Sequence, residues 1–423
     1  MRFIADLHIH SKYSRATSSE MSIESIWKWA QLKGIKVIGT GDFTHPNWLH
    51  ELKDKLEPLD NNLFKLKDNL QCNSIPLSCR SDVYFILTAE ISSIYAKKGK
   101  TRKIHNILIT PDFNTVKKIN TFLSRIGNLS VDGRPILGLD AKQLLKIVLD
   151  LSPDSMVIPA HAWTPHFSIF GSESGFDSLE ECFEELSHHI YSLETGLSSD
   201  PPMNWRLSKL DRITLLSNSD AHSPSKIGRE ANIFDTDISY DFITNAIKTK
   251  KGFIGTIEFF PEEGKYHFDG HRACGVSLSP KETIKNNYIC PVCGRKVTIG
   301  VMHRVEKLAD RPYDYKLEAA PSYFSLIPLP EIIAEIMKVG VNTKTVETEY
   351  LKILSNLGNE FKVLMESSLS DIEKAGLNSL SEAILRVRTG KIHITPGFDG
   401  EYGKIRIFEE DERENVSEQR MLF

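Results

Sequence analysis

From residue 1 to about residue 258 the chain alternates short apolar runs with longer stretches whose apolar positions recur at helical spacing. The runs cover residues 2–9, 35–40, 83–89, 104–109, 156–159, 190–193, 213–217 and 253–257. Between them, residues 23–33 place Ile23, Ile26, Trp27 and Ala30 on one stripe, and residues 141–151 repeat the pattern. Both stretches are expected as helices. Strand-sized runs alternating with helical stretches predict an α/β fold on a mainly parallel sheet or a barrel.

The texture changes after residue 258 and suggests a division at 1–258, 259–320, 321–408 and 409–423. Residues 259–320 are rich in Gly, His and Cys and lack a long periodic segment. Residues 321–390 read as helices, with Pro328 and Pro330 opening the first and apolar positions continuing from Ile332 to Leu354. Short strands are expected around Gly397, Gly400 and Gly403, followed by a charged tail. One internal echo stands out: Lys338-Val339-Gly340-Val341-Asn342-Thr343 against Lys374-Ala375-Gly376-Leu377-Asn378-Ser379. Two readings remain open. The pair is either two ordinary helical hairpins or a helix-hairpin-helix element whose turns at Gly340 and Gly376 hold a DNA phosphate.

Candidate chemistry gathers where the apolar runs stop. Ten of the 14 His lie in the first 222 residues. Asp6, His8 and His10 alternate with Leu7 and Ile9, so on a strand they share one face. Asp42 and His45 follow the second run, Glu90 ends the third, and His105 opens the fourth after a basic loop. His161, Glu194, Asp220 and His222 end the next three. A lone His at a strand end is usually structural, but recurrence at six or seven ends is hard to assign to chance. Strand ends of a barrel converge on one face. Imidazoles and carboxylates together there are a ligand set for Zn, Mn or Fe.

A second pattern is more compact. His271-Arg272-Ala273-Cys274-Gly275 and Cys290-Pro291-Val292-Cys293-Gly294 each place two ligand-type residues at a separation of three, with Gly after the second. Four such ligands close a tetrahedral structural zinc site. His303 is the rival to His271 for the fourth position. Arg272, Arg295 and Lys296 beside it offer contacts for DNA phosphate, or a solvated basic face.

Charge and composition add exclusions. With 52 Lys and Arg against 56 Asp and Glu the formal charge is −4, in a chain of 423 residues that is 40% hydrophobic. Mild acidity does not exclude a nucleic-acid partner, because each bound divalent cation adds two positive charges. No apolar run approaches the roughly 18 residues of a membrane span. The start Met1-Arg2-Phe3-Ile4-Ala5-Asp6 is unlike a secretory signal. Six Cys are too few for a disulfide scaffold. The expected address is the cytoplasm, with no membrane partner.

The motifs Asp6-Leu7-His8-Ile9-His10-Ser11, Gly41-Asp42-Phe43-Thr44-His45, the pair Glu90 and His105, His161, and Ser219-Asp220-Ala221-His222 resemble those of the polymerase-and-histidinol-phosphatase (PHP) superfamily. In place of the Thr-Asp-His of many members, Asp42 and His45 are here separated by Phe43-Thr44. The string Leu193-Glu194-Thr195-Gly196-Leu197-Ser198-Ser199-Asp200-Pro201-Pro202-Met203-Asn204-Trp205-Arg206 narrows the resemblance to the endonuclease Q family. The resemblance implies a distorted (β/α)7 barrel, then a small zinc-binding module and a mainly helical C-terminal domain. It also implies two or three divalent cations (Zn, Mn, Mg or Fe) and a DNA repair endonuclease. That enzyme nicks double- or single-stranded DNA 5′ to deaminated bases (uracil, hypoxanthine, xanthine) and abasic sites, leaving 3′-OH and 5′-phosphate.

On this reading the cation ligands are His8, His10, Asp42, His45, Glu90, His105, His161, Asp220 and His222, with Glu194 and Asp200 as catalytic carboxylates. Asp200 is equally a turn residue before Pro201-Pro202. Arg206 is a candidate phosphate contact. The alternative is a PHP-type small-molecule phosphatase or exonuclease, which has no need of the last 165 residues. The chain ends Gln419-Arg420-Met421-Leu422-Phe423, similar to peptides bound by bacterial sliding clamps, with Leu422 and Phe423 for an apolar pocket and Gln419 at its edge.

Overall fold

In the computed structural model, which describes residues 1–72 and 74–409, most of the apolar runs become strands. They are β1 (Arg2–Asp6), β2 (Val37–Gly39), β3 (Tyr84–Lys97), β4 (Lys100–Thr110), β5 (Met156–Pro159), β6 (Ser192–Glu194) and β7 (Thr214–Leu216). Next come β8 (Ala231–Asp235), β9 (Phe253–Glu258) and β10 (Ser322–Ser325). The helical stripes form where expected. Helix α1 (Ile23–Lys33) starts at Ser22, whose side chain accepts from Ser25 N, and stops at Gly34, whose φ of +93° an L side chain rarely adopts. Helix α2 (Ala141–Leu151) starts at Asp140 in the same way.

The large central sheet is mixed. β1 runs parallel to β2 and β2 parallel to β3. β3 turns back on β4 as a long hairpin from Leu87↔Thr110 to Lys97↔Lys100. β4 is antiparallel to β5. On the other side β8 is antiparallel to β1 and to β9, and β10 adds to β9 in parallel. β6 and β7 form a parallel pair of their own. Single contacts link that pair to its neighbours: Ala162 N to Glu194 O at 2.9 Å, and the bridge Ile9↔Ala221. The C-terminal ends of β1, β2, β5, β6 and β7 are thereby brought round one rim.

Several strands escape the hydrophobic pattern, among them the short Leu56–Pro58, Phe64–Leu66 and Ile136–Leu137, and also β8 and β10. β8 contains Asn232, buried in the middle of the strand, where it donates to Ser217 O and Asn218 Oδ1. β10 falls in the stretch read as helical. Its backbone completes the β9 edge, and the first helix begins later, at Leu329.

Beyond β9, the hairpin Asp269–His271 with Val276–Leu278 and the helix Val301–Leu308 frame the Cys pairs. The C-terminal region holds α3 (Leu329–Met337), α4 (Lys344–Leu357), α5 (Leu369–Lys374) and α6 (Leu380–Thr389), then the antiparallel strands His393–Thr395 and Lys404–Arg406. A buried ion pair ties these helices to the first part of the chain: Lys33 Nζ lies 2.7 Å from Glu360 Oε2. Tyr350 Oη and Leu329 N also donate to Glu360, which satisfies the carboxylate. Gln419, Leu422 and Phe423 lie outside the described residues. Among the described residues no helix is long and apolar enough to cross a membrane.

Candidate metal centres

The strand that starts as β1 continues extended through residue 10, so His8 and His10 point together while Leu7 and Ile9 are buried in the core. Each imidazole is held by its outer nitrogen. His8 Nδ1 lies 3.0 Å from Glu194 Oε1, and His10 Nδ1 lies 3.0 Å from Asp42 Oδ1. With Nδ1–H donated outward, each imidazole in its neutral form would present an Nε2 lone pair inward. They meet Glu90 from β3 and Asp220 from the loop after β7. His10 Nε2 is 3.0 Å from Asp220 Oδ1 and 3.3 Å from Glu90 Oε2. His8 Nε2 is 3.7 Å from each of the same two oxygens. Buried His8 Nε2, His10 Nε2 and Asp220 Oδ1 have no hydrogen-bond partner.

The other oxygen of Glu90 serves a second group. Glu90 Oε1 is 2.8 Å from His105 Nδ1 and 3.1 Å from His161 Nε2, and those two nitrogens are 3.2 Å apart. Hydroxyls hold these rings from behind: Ser92 Oγ at His105 Nε2 and Thr164 Oγ1 at His161 Nδ1. In each group one ligand atom per residue lies within 4.8 Å of the others, and Glu90 belongs to both.

Electrostatics agree with this placement. Burial opposes the charge on Glu90, yet His105, Arg134 and His8 hold its carboxyl well below the usual range. Asp220 is likewise held low against its burial by the facing imidazoles of His10 and His8. Burial pushes His105 down to about 4 despite the nearby Glu90 charge. Burial also works against protonation of His8 and His10, but Glu194 and Glu90 around the first and Asp42 beside the second raise both. A cage that draws protons onto its own imidazoles lacks positive charge, a deficit that divalent cations would fill.

Several expected residues stand outside the two groups. Asp42 is buried behind His10, where its other oxygen accepts from Ser11 N and Ser11 Oγ, each at 2.6 Å. Glu194 accepts from His8, from Asn218 Nδ2 and from His161 N, which occupies its lone pairs. His45 turns away: its Nε2 lies 3.2 Å from Ser130 O and its ring stacks on Tyr13. His222 packs on His10 with ring centroids 4.5 Å apart, its Nδ1 on Asp220 O. Asp200 caps the short helix Pro201–Trp205 by accepting from Met203 N at 2.9 Å. Burial pushes its pKa up to about 7.

His271, Cys274, Cys290 and Cys293 also converge within 4.8 Å. Gly275 and Gly294, at φ +64° and +71°, make the two tight turns. Desolvation raises the Cys290 thiol, and the amides of Cys293 and Val292 more than undo it. His303 is committed elsewhere, its Nδ1 lying 2.7 Å from Asp269 Oδ2. The donor set fits a tetrahedral zinc.

The expected DNA contacts are divided. Arg272, Arg295 and Lys296 are exposed beside the Cys cluster. Arg206 is buried and paired with Glu306 at 2.5 Å, which takes it away from an exposed phosphate. The echoed turns are not copies: Lys338 is left-handed in the first, whereas Gly376, at φ +92°, is in the second. Gly340 is exposed between α3 and α4. One residue at the centre lies outside every periodic segment of the sequence. Arg134, on the loop before residues 136–137, donates from Nη1 to Glu90 Oε2 at 3.0 Å.

A family described as the MJ0043 C-terminal domain matches residues 328–391, which hold both helix–turn–helix pairs. The chain is 34% identical over 253 residues to the uncharacterized protein MJ0043 of Methanocaldococcus jannaschii, covering 58% of this chain. It spans only 31% of that protein's length. Two solved structures match nearly end to end. The lesion-specific endonuclease PfuEndoQ from Pyrococcus furiosus shares 33% identity at a TM-score of 0.84, over 97% of this chain and 96% of that one. Endonuclease Q bound to a 27-mer duplex with an abasic lesion at the active site shares 33% at 0.82, over 97% and 98%. A third of the residues and the course of the backbone are held in common along almost the full length of both partners, and on that ground the chain belongs to the endonuclease Q family.

Proposed function

We propose that the chain is a metal-dependent DNA repair endonuclease. It hydrolyses the phosphodiester 5′ to deaminated bases (uracil, hypoxanthine, xanthine) and abasic sites, leaving 3′-OH and 5′-phosphate ends. One observation carries the reading: three buried, unpartnered atoms, His8 Nε2, His10 Nε2 and Asp220 Oδ1, converge on Glu90 in a member of this family. The abasic duplex at the active site of a relative supports DNA as the substrate.

In this reading residues 1–258 form a distorted (β/α)7 barrel of the PHP type. Residues 259–320 are a zinc module, and residues 321–408 a helical region that grips DNA. His8, His10, Glu90 and Asp220 would hold one divalent cation, and Glu90, His105 and His161 a second, while His45 and His222 are the remaining imidazoles of the expected set. Divalent cations held there supply the Lewis acidity that makes water nucleophilic near neutral pH and neutralises the departing oxygen. Asp42 and Glu194 fix the tautomers of His10 and His8, and the two hydroxyls do the same for His105 and His161.

For the damaged base, a cavity of about 710 Å³ opens beside His161, whose partner Thr164 is in its wall. His166, Leu197, Tyr266, His267 and Tyr402 also line it, offering aromatic faces and polar edges to an extruded base. The terminal Gln419, Leu422 and Phe423 would engage a sliding clamp.

The test is a denaturing gel of end-labelled duplexes carrying uracil, hypoxanthine, an abasic site or no lesion, with Mg²⁺ or Mn²⁺. Cuts immediately 5′ of each lesion and none in the control are expected. Hydrolysis of a sugar phosphate without nicking would favour the phosphatase reading instead.

A further inference from the structure

Arg134 is poised at the carboxylate shared by both groups. The Glu90 oxygen it touches also faces His10 Nε2 at 3.3 Å and His8 Nε2 at 3.7 Å. Its guanidinium makes no other hydrogen bond among the described residues. Of the five N–H donors in such a group, the remainder are therefore unused. The side chain is 25% exposed although Glu90 is fully buried, so Arg134 sits where the centre opens to solvent.

The loop that delivers it is pinned from several directions. His45 Nε2 binds Ser130 O, Thr44 Oγ1 donates to Gly133 O, and Gly133 N donates to Tyr13 O. Asp132 Oδ1 accepts from both Arg15 N and Arg134 N, and Ser92 N donates to Pro135 O. Gly133 passes so close to the centre that a Cβ there would lie 2.3 Å from Asp42 Oδ2 and 2.5 Å from Ser14 Oγ. His45 and Thr44, from the motif that also supplies Asp42, thus fix the position of an arginine rather than of a cation. That much anchoring exceeds what charge balance for one carboxylate requires.

We infer that Arg134 is a catalytic residue, a guanidinium that grips the non-bridging oxygens of the scissile phosphate. The inference rests on the endonuclease reading and adds a residue to its reaction. With Glu90 Oε2 committed to a cation it would have less charge to offer Arg134, whose planar fork would then be free to meet the phosphate. The water oxygen bonds to phosphorus as the bond from phosphorus to the 3′-oxygen breaks. One proton leaves the water and one ends on the 3′-oxygen, giving 5′-phosphate and 3′-OH. Negative charge spreads over the equatorial oxygens in between, and there a bidentate arginine acts.

The test uses Arg134→Gln and Arg134→Lys in the full-length, Mn²⁺-loaded protein. Three quantities are measured: bound metal, kcat and KM on an abasic duplex, and Kd for inorganic phosphate. Metal content should stay at the wild-type level. In Arg134→Gln, kcat should fall about 100- to 1000-fold, the usual loss for one preorganised oxyanion donor, with KM little changed and phosphate binding about tenfold weaker. Arg134→Lys, which keeps charge but not the fork, should fall in between. Wild-type kcat and phosphate affinity in Arg134→Gln would overturn the inference. So would metal loss in step with activity loss in both variants, because Arg134 would then only hold Glu90. If the wild type nicks nothing yet phosphate binding still depends on Arg134, the endonuclease reading fails and the anion contact stands.

Discussion

Asp42→Asn isolates what Asp42 does at the centre. The carboxylate is buried and accepts three hydrogen bonds, from Ser11 N, Ser11 Oγ and His10 Nδ1. An amide has only one acceptor oxygen, so its NH2 must face either Ser11 or the Nδ1–H of His10, donor against donor. Leaving a buried donor unmatched costs about 1–3 kcal/mol. His10 escapes by moving its proton to Nε2, which destroys the lone pair it offers beside Asp220 and Glu90. Either route weakens cation binding by about 10- to 100-fold, the range seen for outer partners of metal ligands, or roughly 1.4–2.7 kcal/mol. The assay is calorimetric titration of metal-stripped protein with Mn²⁺, run in parallel on His45→Ala. His45 touches Ser130 and Tyr13, not the inward atoms, so its removal should leave the affinity nearly unchanged. Wild-type affinity in Asp42→Asn, or an equal loss in His45→Ala, would refute the assignment of Asp42 to His10.

Two further outcomes follow from the same geometry. His271→Ala and Cys290→Ser should each lower bound zinc by one equivalent by elemental analysis, whereas His303→Ala, whose Nδ1 is taken by Asp269, should retain it; zinc loss in His303→Ala alone would reverse the choice of fourth ligand. Burial lifts Asp200 from 3.8 to about 7, so the folded state holds that proton more tightly and stability falls as pH rises from about 4 to 7. Asp200→Asn keeps an acceptor for Met203 and should remove that decline, on the order of 4 kcal/mol at most. Urea unfolding at pH 4 and pH 8 measures it, and an unchanged difference between the two would refute the account.

Strand ends were legible because residues that close an apolar run come round to one rim, a placement that spacing reveals at His8, His10, His161 and Asp220. What spacing cannot reveal is whether a buried carboxylate at such an end holds a cation or holds the far side of an imidazole. Asp42 and Glu194 lie at or just past strand ends whereas Glu90 lies in the middle of β3, and the oxygens of the first two meet Nδ1–H and backbone donors. Arg134 had no periodic segment to announce it. The one trace is Gly133, a position where any side chain would collide with Asp42. β8 was hidden by Asn232, a polar residue buried to bind the neighbouring strand end.

The outer partners also make the two groups chemically unequal. Carboxylates stand behind His8 and His10, hydroxyls behind His105 and His161. A carboxylate pulls on the Nδ1 proton and raises the basicity of the opposite nitrogen, and a hydroxyl does so far less. The first group moreover adds Asp220 to the shared Glu90, whereas the second has Glu90 alone. A cation held by His8, His10, Glu90 and Asp220 would therefore meet more negative charge and more basic imidazoles. One held by Glu90, His105 and His161 would meet fewer protein ligands and leave more of its coordination to water or a phosphate oxygen. On this geometry the second group is the better placed to present Lewis acidity to a phosphodiester.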